Sequence, residues 1–71
     1  MKVKLKAQAI RRILARKNLS QNWLAQRLGT SSGYMSQMLA GRRSPSPQMR
    51  RQILEALQDY EFDDLFTLRG R

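Results

Sequence analysis

The stretch SQNWLAQRLGTSSGYMSQMLAG, Ser20 to Gly41, decides the fold. Ser20 is a good N-cap, because its hydroxyl can accept from the free backbone N–H groups of the turn that follows. Leu24, Ala25 and Leu28 then fall at i, i+1 and i+4, the spacing of one buried helical face. Gly29 stands just past the last of them, where a glycine takes positive φ without steric cost and ends the helix. Thr30 and Ser31 are both competent N-caps for a second helix, whose Met35, Met38 and Leu39 recur at i, i+3 and i+4. That leaves Ser32, Gly33, Ser36 and Gln37 facing outward, and Gly41 closes the helix. The pattern predicts helices over about 21–28 and 31–40 joined by one tight turn. An ordinary αα-hairpin within a helical bundle would carry the same signs.

Outward from this pair, Leu5, Ala9, Ile10, Ile13 and Leu14 recur at three- and four-residue intervals and predict a helix over about 5–17. Its other faces carry Lys6, Arg11, Arg12 and Arg16, and Asn18 is a left-handed exit. A basic amphipathic helix can also lie on an anionic membrane, but this one has further helices to pack against. Residues 1–4 have no cap and are expected to be loose, either as a basic arm along a groove or as a frayed start. Downstream, Arg42-Arg43-Ser44-Pro45-Ser46-Pro47 reads as a loop, then a helix over 47–57 capped by Ser46 with Pro47 at its first position. Met49, Ile53, Leu54 and Leu57 are its inward set. A last helix over 62–68 offers Phe62, Leu65, Phe66 and Leu68, more apolar surface than so small a fold can bury. The surplus marks Phe62, Phe66 and Leu68 as candidates for a subunit contact. The competing reading is that they close the bottom of the core. The expectation is therefore an all-α, compact five-helix domain spanning 1–71.

Composition narrows the chemistry. The 71 residues include no cysteine and no histidine, so a disulfide framework is impossible and the commonest general base is missing. No enzyme activity, metal or cofactor is expected; the adjacent carboxylates Asp63 and Asp64 read as first-turn acids favoured by the helix dipole. No apolar run approaches a membrane span, and the Lys-rich start lacks the apolar region of a signal peptide. A cytoplasmic protein without membrane contact is expected. The net charge is +9, distributed unevenly: residues 1–54 hold four Lys and eight Arg with no acid, whereas residues 55–71 hold two Arg against five acids. Such a stretch repels itself, and a polyanion would relieve it. Nucleic acid is the natural partner.

Gln21, Ala25, Gly29, Met35 and Met38 stand where the lambda-repressor-like (Cro and phage-repressor, XRE-type) helix-turn-helix family has its signature residues. The run Leu19-Ser20-Gln21 before Leu24-Ala25, and Gly41-Arg42 after the second helix, are also typical of it. The chain resembles that family over roughly residues 5 to 66. The resemblance implies that Ala25 is small so that the two helices can cross closely, that Gly29 is the turn, and that Leu24, Met35 and Met38 join the core. The chain also departs from its relatives. They often have an Arg at the place of Leu14 and a Glu at the place of Leu39, and the paired replacement implies that the two Leu bury against each other. Arg50 takes a place often apolar, and the exit Gln58-Asp59-Tyr60-Glu61 lacks the usual Gly.

In that family the second helix of the pair enters the major groove of duplex DNA with its N-terminal end leading. Ser32, Gly33, Ser36 and Gln37 are the expected base contacts, and Gln37 alone can make a bidentate pair, which by geometry favours adenine. Gln21, Gln26, Thr30, Ser31 and Tyr34 are expected at phosphates, and Arg42 and Arg43 are the strongest electrostatic candidates. Trp23, one turn before Arg27, reads either as a half-buried residue covered by that Arg or as a protein contact. The resemblance implies a sequence-specific transcriptional regulator, a repressor, acting as a homodimer. It also fits the antitoxin of a toxin pair, which would bring a protein partner. The alternative of another class is a general nucleic-acid-binding protein that uses its basic face on any duplex.

Overall fold

The computed structural model describes residues 2–70. Its helices are α1 (Ala7–Arg16), α2 (Gln21–Arg27), α3 (Ser32–Leu39), α4 (Pro47–Ala56) and α5 (Phe62–Leu65), flanked by strands β1 (Lys2–Leu5) and β2 (Phe66–Arg69).

Local sequence sets where the first three helices stop. Asn18, Gly29 and Gly41 have φ of 57°, 70° and 80°, the left-handed turn that reverses a chain at a helix end. Behind each, the next amide reaches back over the last turn: Leu19 to the Leu14 carbonyl, Thr30 to Ala25, and Arg42 to Gln37, all at 2.9 Å. The last carbonyls are thus satisfied without a side chain. At the starts, the hydroxyls of Ser20, Ser31 and Ser46 accept from the N–H groups of Trp23, Tyr34 and Met49 at 2.9 to 3.1 Å. Ser31, not Thr30, is therefore the cap of α3. Pro47 occupies the first turn of α4, where no amide proton is missed.

The core gathers Ile10, Ile13 and Leu14 from α1, Leu24, Ala25 and Leu28 from the α2 region, Met35, Met38 and Leu39 from α3, and Ile53 and Leu57 around α4. Leu14 and Leu39 lie in this one cluster, both buried. Met49 and Leu54 are only half-buried. Arg50 is half-buried too, with its Nε 3.4 Å from the Ser46 carbonyl, so it lies back on the start of α4 instead of entering the core.

Three expectations are corrected at the ends of the chain. Of residues 1–4, Met1 lies outside the described residues and Lys2 to Lys4 are not loose; Leu5 belongs with them in β1, so α1 starts at Ala7 and not at 5; and α5 stops at Leu65 instead of running to 68. Strands β1 and β2 pair antiparallel, with Lys2 opposite Arg69, Val3 opposite Leu68, Lys4 opposite Thr67 and Leu5 opposite Phe66. The fold is mostly helical but not all-α. Leu5 and Phe66 are buried, whereas Leu68 at the outer end is 53% exposed, so the apolar face of the ribbon emerges from the core. Phe66, 1% exposed, cannot offer a subunit contact; its ring stacks on Phe62 with centroids 4.9 Å apart, and Phe62 is half-buried. Only Leu68 remains fully at the surface. The acids behave as first-turn groups, the Asp64 carboxylate accepting from the Glu61 N–H at 2.9 Å.

Candidate nucleic-acid interface

The outer surface of α3 is built by what its inner surface must bury. With Met35, Met38 and Leu39 in the core, the 3.6-residue period turns Ser32, Gly33, Ser36 and Gln37 to solvent, and all four are exposed. Ala25, 2% exposed, gives the room in which α2 and α3 pack. Gly29 is needed for its dihedral angle rather than for space, since a Cβ built there would meet nothing within 4 Å. The four expected base-reading positions therefore share one face of one helix.

Three further contacts pre-arrange that face. Gln21, the first residue of α2, donates from Nε2 to the Ser36 Oγ at 3.1 Å and ties the two helices together at the surface. The Ser36 hydroxyl then has its own proton left to give. At the far end of α3, the Lys4 Nζ donates to the Gly41 carbonyl at 2.8 Å, so the β1–β2 ribbon braces the end of the helix. Lys4 is thus neither a free arm nor a frayed residue. Lys6 points elsewhere, its Nζ donating to the Asp63 carbonyl at 2.7 Å.

The third contact joins Gln37, Arg43 and Tyr34. Because Gly41 turns the chain back, the amides of Arg42 and Arg43 both reach the Gln37 carbonyl, at 2.9 and 3.3 Å. The Arg43 side chain starts beside Gln37, and its Nε donates to the Gln37 Oε1 at 3.0 Å. Its guanidinium carbon lies 5.8 Å from the centre of the Tyr34 ring, within cation–π range. The cation–π contact among the described residues is thus at Tyr34. Trp23 is half-buried against the core without an Arg over its ring.

Of the expected phosphate positions, Gln26 and Arg42 are exposed and Thr30 is half-buried. Gln26 and Thr30 line a shallow concavity of about 250 Å³ with Asn22, Ala25 and Ser32, beside the start of α3. Asn22 was not picked out from the sequence. Its signal was present, since Asn22 and Gln26 stand one helical turn apart on the same face. Ser31 has its hydroxyl oxygen committed to capping, and Gln21 is turned onto Ser36. Only the side-chain proton of Ser31 and the remaining amide atoms of Gln21 are left for other partners.

Electrostatically the surface is one-sided. Among the described residues the only ion pair is Lys17–Asp59 at 2.9 Å, so no arginine there is neutralised by a carboxylate. No cluster of potential metal ligands occurs among those residues. None of their helices is long and apolar enough to cross a membrane. Neither a curated protein nor a solved structure matches the chain. A family model described as helix-turn-helix domain matches residues 5–58, from the end of β1 through α4. The crossed pair α2–α3 with its glycine turn lies inside the matched span, and so do the lambda-repressor-like signature positions Gln21, Ala25, Gly29, Met35 and Met38. The chain is therefore a member of the helix-turn-helix domain family, of the lambda-repressor-like kind, and its fold is one that binds DNA.

Proposed function

We propose that the chain is a single sequence-specific DNA-binding domain that represses transcription, placing α3 in the major groove as a homodimer on a twofold operator. The observation that carries this reading is the outer face of α3. It is exposed and carries no apolar side chain, and it is braced in its middle by Gln21 on Ser36 and past its C-terminal end by Lys4 on Gly41. A face built only for general charge attraction would need no such bracing, because phosphate contacts do not depend on which base edge is reached.

In this reading Ser32, Gly33, Ser36 and Gln37 approach base edges. Gln26, Thr30, Arg42 and Asn22 approach the backbone on either side, with the N-terminal amides of α2 aimed at a phosphate. Gln37 is the one side chain with real discriminating power, about 1 to 3 kcal/mol at its base pair. So thin a code gives little specificity to one copy, and a twofold pair on half-sites about one DNA turn apart multiplies it. Leu68, exposed at the outer end of β2, and the half-buried Phe62 are the apolar groups free to join such a pair. A repressor needs no second activity, since occupancy of the operator alone excludes other proteins from it.

The test is selection from a randomised duplex pool at about 150 mM salt, where nonspecific phosphate binding is already weakened. Enrichment of an inverted repeat is expected. Binding at low salt with no enriched sequence would replace this reading with that of a general nucleic-acid binder.

A further inference from the structure

Arg43 lies just past the recognition helix, where a basic residue is expected to meet a phosphate. Its geometry argues for another task. Though Arg43 is exposed, its side chain folds back along α3, with Nε donating to the Gln37 Oε1 at 3.0 Å and the guanidinium carbon 5.8 Å from the centre of the Tyr34 ring. A charged donor on an amide oxygen makes a stronger hydrogen bond than a neutral one, and the ring holds the guanidinium from the other side. The backbone enforces the arrangement, because the left-handed Gly41 brings the Arg43 amide onto the Gln37 carbonyl at 3.3 Å. Gln37 therefore has a hydrogen-bonded orientation in the absence of DNA, with its oxygen turned to Arg43.

We propose that Arg43 is the positioning residue of Gln37 and that the two read one guanine together, an inference that rests on the chain being a sequence-specific DNA binder. A free glutamine pairs with adenine by accepting from N6 and donating to N7. Here one of the two lone pairs of the accepting oxygen already serves Arg43, so the pair shows outward mainly N–H groups, from Gln37 Nε2 and from the unengaged guanidinium nitrogens. The adenine N6 amino group is a donor and finds one remaining lone pair among several donors. Guanine offers two acceptors, O6 and N7, at the same edge of the major groove.

The experiment measures base preference, by selection and by competition with single-base variants of the selected site, for the wild type and for Gln37→Ala, Arg43→Ala, Arg43→Lys and the Gln37→Ala/Arg43→Ala double variant. Lysine keeps the charge but has no Nε–H on a planar fork. The wild type should prefer guanine at one base pair per domain by about tenfold or more. Each single variant, Arg43→Lys included, should flatten that preference, and the double variant should lose no more than either Ala variant. Arg43→Ala that binds all duplexes more weakly while keeping the same base preference would make Arg43 a phosphate contact and overturn the proposal. Adenine at that pair in the wild-type selection would overturn it too. A wild type that enriches no sequence would remove the proposal and the reading beneath it together, a result visible without any variant.

Discussion

At the residue scale, the glycines meet two different demands. Gly29 has φ of 70° with open space around it, whereas Gly33 sits inside α3 at an ordinary angle, its would-be Cβ 3.9 Å from the Ser31 Oγ. Gly29→Ala should therefore destabilise the protein by about 1 to 2 kcal/mol through backbone strain alone. Gly33→Ala should stabilise it by about 0.5 to 1 kcal/mol, because a helix interior prefers alanine. Thermal denaturation of the two variants checks this, and equal shifts in one direction would show that φ is not what Gly29 supplies. Leu14 gives a sharper case. It is 4% exposed in one cluster with Leu39, so a carboxylate placed there would lose its water. Leu14→Glu should cost about 3 kcal/mol or more, enough to unfold much of so small a protein at room temperature. An unchanged melting temperature would mean that the site is not closed.

At the element scale, the helix-turn-helix was legible because its signals are local: a cap at Ser20, a period of 3.6 and a glycine at the turn all act within a few residues. The β1–β2 ribbon was not. Its partners stand more than sixty residues apart, from Lys2 opposite Arg69 to Leu5 opposite Phe66, and four residues of alternation are too few to distinguish from a fraying start. Phe66 shows the consequence, since an aromatic that a helix left open to either a subunit contact or the core becomes, in a strand, a core residue. If the ribbon braces the fold, a chain starting at Leu5 should lose about 1 kcal/mol or more, a fall in melting temperature of about 4 to 8 °C. Calorimetry would show it, and an unchanged transition would leave β1 without a stabilising role. The loop after α3 makes a different prediction. Arg42 lacks the side-chain tether that holds Arg43, so Arg42→Ala should weaken binding to all duplexes alike and lower the slope of log K against log salt by about 1. A slope that stays unchanged would move the phosphate contact elsewhere.

At the scale of the whole molecule, charge and pairing divide the protein into a basic body and an acidic end, joined at the surface by Lys17 and Asp59. The hydrogen bond that the Lys17 ammonium donates to the Asp59 carboxylate, and then the Coulomb attraction between them, hold that ammonium above the ordinary lysine value of 10.5. A raised lysine pKa contributes stability that is complete below the ordinary value and is lost as pH climbs through the raised one. Wild type and Asp59→Asn should therefore differ in denaturation midpoint near pH 8, slightly because the pair is exposed, and converge above the lysine range. A difference that persists there would assign the effect to something other than this ion pair. The sequence by itself determined the helix-turn-helix, the caps at Ser20 and Ser46, the outward face of α3 and the basic character of the body, because each depends on neighbours along the chain or on simple counting. Only the tertiary structure decided that the two ends meet in a ribbon, that Phe66 goes inside, and that Gln21 and Arg43 fold onto the face they flank. Those outcomes depend on which distant groups arrive within hydrogen-bonding or packing distance, and no local pattern of residues encodes that.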